Sequence, residues 1–363
     1  MNLSDAKKAL DKVINKARIH FYKPFQIATI LRKHRDGELD DLADLDSYKN
    51  ASKKWRDQVS YLLVGRRSTS SARYQDDLFN DNACPPEAIV ALGDYNKQTN
   101  GEVETYIYRM FESKAAAIAA ILENITVATP STFDLQKLVK TFEQGKGLKR
   151  SIDKVYEITV YALFSTIVRA LRLEISLTVN NPNAMLLKDF ESFLEKVVGL
   201  PKGSTSHVLP ASLFRLGSTN ASDRGLDMVA NFGPAIQVKH LTLKADAIGD
   251  ICEGLSADRI VIVCKDAEVS SVDAVLKQLG LNDKLQGLVT FSDLLKWYSI
   301  CFNLSNRDTL GSFLLKDFIR EFSEEFPSLA GFPSFMESHG YKNLVLSKQW
   351  SVEKTVAKKG GKK

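Results

Sequence analysis

Apolar residues recur at helical spacing from the start of the chain, where Leu10, Val13, Ile14 and Ala17 predict a first helix. Pro24 follows at a position where a helical first turn tolerates a missing N–H, which predicts a second helix over Phe25–Arg35. The acidic stretch Asp36–Asp46 interrupts the pattern. After it, Asn50 or Ser52 would cap a third helix, Lys53–Val64, ended by Gly65. Met110–Leu122 and Phe133–Phe142 read as further helices, joined by Val127-Ala-Thr-Pro-Ser-Thr, whose terminal hydroxyl would cap the second of them.

The pattern changes beyond Arg150. Ile152–Leu171 is apolar around most of a helical circumference and is expected to be buried. Leu173–Val179 alternates as a strand does, and Pro182–Val198 returns to helical spacing. Two strand-like runs, Gly225–Phe232 and Ala235–Leu241, flank a Gly233-Pro234 turn. A helix over Ala245–Leu255 precedes the nearly continuous apolar run Arg259–Cys264, which suits a central strand covered on both faces. Leu288–Phe291 then leads into a helix from Ser292. The second half therefore reads as a mixed α/β fold with a central mixed sheet flanked by helices, and the first half as mainly helical. Residues 1–130 form the helical region of this scheme, 131–350 the α/β domain, and 351–363 a disordered basic tail.

At 363 residues the chain has room for two domains with cores of their own. Its 44% hydrophobic and 26% charged residues are ordinary for a globular protein. A balance of 49 Lys and Arg against 44 Asp and Glu permits a polyanionic partner without demanding one. Cys84, Cys252, Cys264 and Cys301 are far apart, form no CxxC pair, and lack zinc-site spacing to histidine, so a reduced, cytoplasmic protein is expected. The most apolar stretch, Ile158–Leu177, is broken by Arg169, Arg172 and Glu174, which excludes a membrane span. No P-loop, nucleophile elbow or dinucleotide fingerprint occurs, so no requirement for ATP is expected.

Chemistry concentrates around the Gly233-Pro234 turn. Side chains alternate along a strand, so Gln237 and Lys239 share one face, and the hairpin brings Asp227 beside them. A carboxylate, an amide oxygen and an ammonium thus converge among apolar positions, where an acid and a lysine are costly unless they pair or bind a metal. Asp227, the Gln237 side-chain oxygen and the Val238 carbonyl could supply the hard oxygen ligands that Mg²⁺ prefers. Lys239 would position the attacking water or balance charge developing on a phosphate, which makes phosphodiester hydrolysis the expected reaction.

This arrangement resembles the PD-(D/E)xK nuclease superfamily. Asp227 matches the first acid, Lys239 the motif lysine, and Gln237 stands where the second acid usually does. The resemblance implies a further carboxylate from the helix before the sheet, a place that Glu157 fits, with Glu174 as the alternative. The N-terminal text Lys16-Ala-Arg-Ile-His-Phe-Tyr-Lys-Pro-Phe-Gln-Ile-Ala, with Lys54-Trp-Arg-Asp and Ser70-Ser-Ala-Arg-Tyr-Gln-Asp-Asp-Leu, is similar to the HaeII-like family of type II restriction endonucleases. That likeness implies Mg²⁺-dependent cleavage of double-stranded DNA within a palindrome of the form RGCGCY. A two-fold target implies a homodimer.

Three helices followed by a basic turn give the first half a winged-helix-like outline suited to DNA binding. In that turn Arg66, Arg67 and Arg73 offer forked donors for guanine, beside Ser70 and Ser71 for phosphate oxygens. Lys53, Lys54 and Arg56 would line the preceding helix, and Arg224 would reach the scissile phosphate or pair with an acid. Two other readings fit the same residues: a structure-directed repair or recombination nuclease, and a DNA-binding regulator made catalytically inert by Gln237.

Overall fold

A computed structural model describes residues 1–68, 78–145, 147–216, 226–267, 269–281, 283–326 and 328–352. The chain divides into two compact units. One holds the chain up to Ile158 and again from Phe318, and the other holds the described residues between Thr159 and Asp317.

Every element of the first unit among the described residues is helical. The helix Leu3–Lys16 is capped by Asn2, whose side chain accepts from the Asp5 N–H, and it buries Leu10, Val13 and Ile14 as the spacing required. Tyr22–Arg35 follows, with Pro24 in its first turn. The third helix is longer than its sequence suggested, running from Leu45 to Val64. Asn50 and Ser52 lie inside it. The Ser52 hydroxyl donates back to the Lys49 carbonyl and accepts from Gln26, so it is engaged within the fold instead of capping a helix. Gly65 ends this helix with φ of 68°, a conformation that glycine adopts without steric cost. Pro86–Gln98, Glu102–Thr126 and Leu135–Gln144 complete the N-terminal series.

Aromatic rings fill much of the core. Phe25 meets Phe111 edge-on, and Tyr108 packs against both Phe335 and Tyr341 from the C-terminal part of the chain. That part is tied down by charge as well. Buried Glu104 accepts from Arg35 Nε at 2.9 Å, from Asn96 Nδ2 at 2.6 Å and from the Tyr341 hydroxyl. Glu102 accepts from the Ser347 N–H, and fully buried Trp350 lies edge-on to Tyr106.

In the second unit a five-stranded mixed sheet runs in the order β3 (Leu213–Arg215), β4 (Met228–Ala230), β5 (Ala235–Val238), β7 (Ile260–Cys264), β9 (Leu285–Thr290), and a separate short parallel pair joins β6 (Thr242–Leu243) to β8 (Asp266–Ala267). The first three strands are antiparallel neighbours, and β5, β7 and β9 are parallel. Helices Ala245–Gly254 and Val269–Leu279 lie between the parallel strands in sequence. Their Ile248, Cys252, Val272 and Leu276 form one apolar cluster with Ile260, Ile262 and Cys264 of β7. Each such side chain contributes about 1–3 kcal/mol by leaving water. Strand β4 is shorter than the apolar run predicted, because the Ala230 N–H already donates to Pro234 in the tight turn. Gly233 holds φ of 126° there, with the Arg259 guanidinium 2.6 Å from where a Cβ would stand.

Preceding the sheet are the helix Ile152–Ala170, which begins in the first unit, and an antiparallel pair, β1 (Glu174–Thr178) with β2 (Ser206–Pro210). Strand β9 feeds the helix Phe291–Phe302 through a capping box made by Thr290 and Asp293. All four cysteines are free and buried, and among the described residues no helix is long and apolar enough to cross a membrane.

Candidate active site

The turn between β4 and β5 sets two polar side chains against each other. Asp227 immediately precedes β4, and its N–H donates to the Ile236 carbonyl at 3.2 Å. Its carboxylate reaches across to β5, where Oδ2 accepts from Gln237 Nε2 at 3.0 Å and from the Val238 N–H at 2.7 Å. A carboxylate therefore receives a β5 backbone donor that would otherwise bond a strand carbonyl, and two hydrogen bonds fix its plane.

Gln237 is buried, and it pairs with Ile262 across the parallel ladder. Residues paired in this way share a face, so Gln237 stands on the side covered by the two helices, one strand outward from their cluster. Because its amide nitrogen is committed to Asp227, the amide oxygen is what Gln237 offers to another group. Lys239 continues the ladder through its N–H, which donates to the Val263 carbonyl at 2.8 Å. Its half-exposed side chain falls on the Gln237 side by alternation.

The donor set here is oxygen: one carboxylate, one amide oxygen and the Val238 carbonyl. Among the described residues no three His, Cys, Asp or Glu side chains are grouped to hold a metal. Such a set suits Mg²⁺, which takes one or two protein carboxylates and completes its shell with water and phosphate oxygens, and it does not suit zinc. Glu157 is 8% exposed and belongs to the first unit, where both its oxygens accept from Lys154 Nζ at 2.6–2.8 Å. Glu174 opens β1 opposite Pro210 and is exposed.

The basic turn is held from below. Arg66 lies 3.7 Å from the buried Glu325 carboxylate and donates to the Glu324 carbonyl. Arg67 is exposed, with its guanidinium 5.1 Å from the Tyr61 ring centroid and its carbonyl accepting from the Tyr22 hydroxyl. Ser70, Ser71, Arg73 and Arg224 lie outside the described residues. Arg56 does not line an outer helix face with Lys53 and Lys54. It is buried, donating to Asp57 at 3.1 Å, to Gln26 and to Ser68, and this pairing satisfies its charge inside the unit. Sequence reading did not single out Gln26, Asp57 or Glu325 as anchors of this turn. The available signal was the recurrence of Ser52, Arg56 and Ser60 every fourth residue, a polar stripe on a helix face that turns out to be buried. His20 belongs to the same surroundings. Burial pushes its pKa down to about 4, with Arg66, Arg18 and Lys154 adding to the effect and Glu325 opposing it.

Comparison with known proteins agrees with this picture. The sequence profile of the HaeII restriction endonuclease family matches residues 6–341. The type II restriction enzyme HaeII of Haemophilus aegyptius is 46% identical over 342 residues, covering 94% of this chain and 97% of that protein. The type II restriction enzyme NgoBI of Neisseria gonorrhoeae is 43% identical over 344 residues, with the same coverage. No solved structure matches. The activity of the mixed α/β chain is accordingly that of a type II restriction endonuclease. Within that class, the chain belongs to the HaeII restriction endonuclease family.

Proposed function

We propose that this endonuclease hydrolyses double-stranded DNA at a short palindrome, with Mg²⁺ held by Asp227, the Gln237 side-chain oxygen and the Val238 carbonyl in a PD-(D/E)xK-type core. The observation that carries the reading is the contact between Asp227, just ahead of β4, and Gln237 of β5, with Lys239 two residues after Gln237. The order of elements supports it: three antiparallel strands, then a helix, then a parallel strand. When bound, the cation supplies charge stabilisation at the phosphate and makes a coordinated water easier to deprotonate.

In this reading the chain's own groups do the remaining work. The two hydrogen bonds at Oδ2 hold the Asp227 carboxylate in place before substrate arrives, Gln237 keeps that orientation, and Lys239 positions the water or offsets charge on the scissile phosphate. Glu157 or Glu174 contributes the further carboxylate. Residues 1–130 form a helical, winged-helix-like recognition region, with Arg66, Arg67, Ser70, Ser71 and Arg73 contacting DNA and Arg224 near the cut, while 131–350 carry the endonuclease. RGCGCY, the palindrome implied by the resemblance to the HaeII-like family, is the sequence to test first, and a two-fold site calls for a homodimer.

Asp227→Asn tests the assignment, since it keeps the side chain's shape and removes its charge. Losing about 4 kcal/mol of transition-state stabilisation corresponds to a cleavage rate roughly 10³-fold lower. Gel-shift affinity for cognate DNA should stay within about threefold. Undiminished Mg²⁺-dependent cleavage by this variant would remove Asp227 from the mechanism. Sequencing the fragment ends from plasmid digests by the wild type reads the site. Scattered ends would favour a structure-directed nuclease, and absence of any turnover an inert regulator.

A further inference from the structure

Between β1 and β2 the chain forms a helical stretch from Ala184 to Val198, α-helical at first and π-helical over Leu194–Val198. None of its side chains is fully buried. Leu186, Phe190, Phe193 and Val197 recur at intervals of four, three and four residues across a joint at Phe190, and they lie on the exposed side of the stretch, while Leu187, Glu191, Leu194 and Val198 are half-buried. They remain 39%, 55%, 52% and 68% exposed. At about 150–250 Å² for a large apolar side chain, the four present roughly 400 Å², close to the largest apolar patch an ordinary monomer keeps and about half of one partner's share of a standard interface.

The pattern is self-complementary. About the midpoint between Glu191 and Ser192, Phe190 mirrors Phe193 and Leu186 mirrors Val197. Asp189 and Lys196, both exposed, flank the stripe on its open side, nearly symmetric about the same point and opposite in charge. An antiparallel copy of the stretch would therefore bring Phe190 to the partner's Phe193, Leu186 to the partner's Val197, and Asp189 to the partner's Lys196, with each contact repeated by the two-fold axis. A DNA backbone would gain little from a stretch in which Lys188 and Lys196 are outnumbered by Asp189, Glu191 and Glu195.

We propose that this stripe is the seam of a two-fold homodimer, occupied by a second copy of the same chain. The assignment rests on the homodimer of the proposed function and adds the surface that forms it. Sedimentation of the full-length protein, without DNA or metal, tests it independently of cleavage. The wild type is expected at twice the 40.5 kDa chain mass, and the Phe190→Glu/Phe193→Glu double variant at the single mass with an unchanged circular dichroism spectrum. Asp189→Lys and Lys196→Asp should each weaken the dimer about tenfold or more by opposing like charges, and together should restore it to within about threefold of the wild type. A monomeric wild type, a phenylalanine double variant that stays dimeric, or charge swaps without mutual rescue would overturn the proposal. Loss of DNA affinity at unchanged mass would assign the face to DNA and overturn it equally. Specific cleavage by the wild type, assayed separately, distinguishes failure of the seam from failure of the endonuclease reading.

Discussion

His20 should make the protein sensitive to mild acid, by an amount the structure sets. Its Nε2 is enclosed and meets no hydrogen-bond partner among the described residues, while the ring stacks on Tyr22 at 5.6 Å. Burial holds the folded-state pKa near 4, against 6.5 for an unstructured histidine. Between those values the unfolded chain takes up a proton that the folded protein refuses, so stability falls as pH drops below 6.5 and the loss is complete only below 4. At pH 5 the difference amounts to about 2 kcal/mol relative to pH 7.5. His20→Phe keeps a ring to stack on Tyr22 and has nothing to titrate. Urea unfolding at pH 7.5 and 5.0 reads the effect, because every other acid-sensitive group is common to both proteins. The variant should lose about 2 kcal/mol less than the wild type between the two pH values. Equal losses in the two proteins would refute the argument.

Lys114 should show the opposite end of the same linkage. Burial brings its pKa down to about 8 although Nζ donates to the Ile14 carbonyl at 2.7 Å, so wild-type stability should rise relative to Lys114→Met as pH climbs from 8 toward 10.5, and parallel unfolding curves across that window would contradict it. Gln237→Glu removes the donor to Asp227 and sets a second carboxylate against it, which should cost about 1–3 kcal/mol without metal and be recovered by millimolar Mg²⁺. Thermal melts with and without the cation check this, and a variant whose melting point ignores Mg²⁺ would count against a metal site at that pair.

Much of this architecture could be read from the chain because local signals agreed with tertiary demands. Gly65 and the spacing of Leu10, Val13 and Ile14 mark helices whose buried faces are the ones expected, and Ile260–Cys264 is the covered strand its composition suggested. The failures share a cause. Asn50 and Ser52 carry capping chemistry, yet Leu45–Val64 continues through them because Ser52 is drawn into contact with Gln26, a residue 26 positions away. Arg56 was expected on the outer helix face with Lys53 and Lys54, and local spacing could not show otherwise because two of its partners, Gln26 and Ser68, lie 30 and 12 positions away. At the candidate site, alternation and the tight turn were enough to set Asp227 beside Gln237. They could not reveal that Asp227 would spend one oxygen on the β5 backbone at Val238, since that bond depends on how the strand starts at Met228.

The closure of the first unit by its own C-terminal segment constrains how the protein can be made. Glu104 awaits Tyr341, 237 residues later, and Glu102 awaits Ser347, 245 residues later. A ribosome must therefore deliver the entire sheet-bearing unit before the opening helices receive their last partners. A product ending ahead of Tyr341 leaves Glu104 and Glu102 each short of a donor and the place of Trp350 beside Tyr106 empty, so premature termination should yield a helical unit exposed to proteolysis.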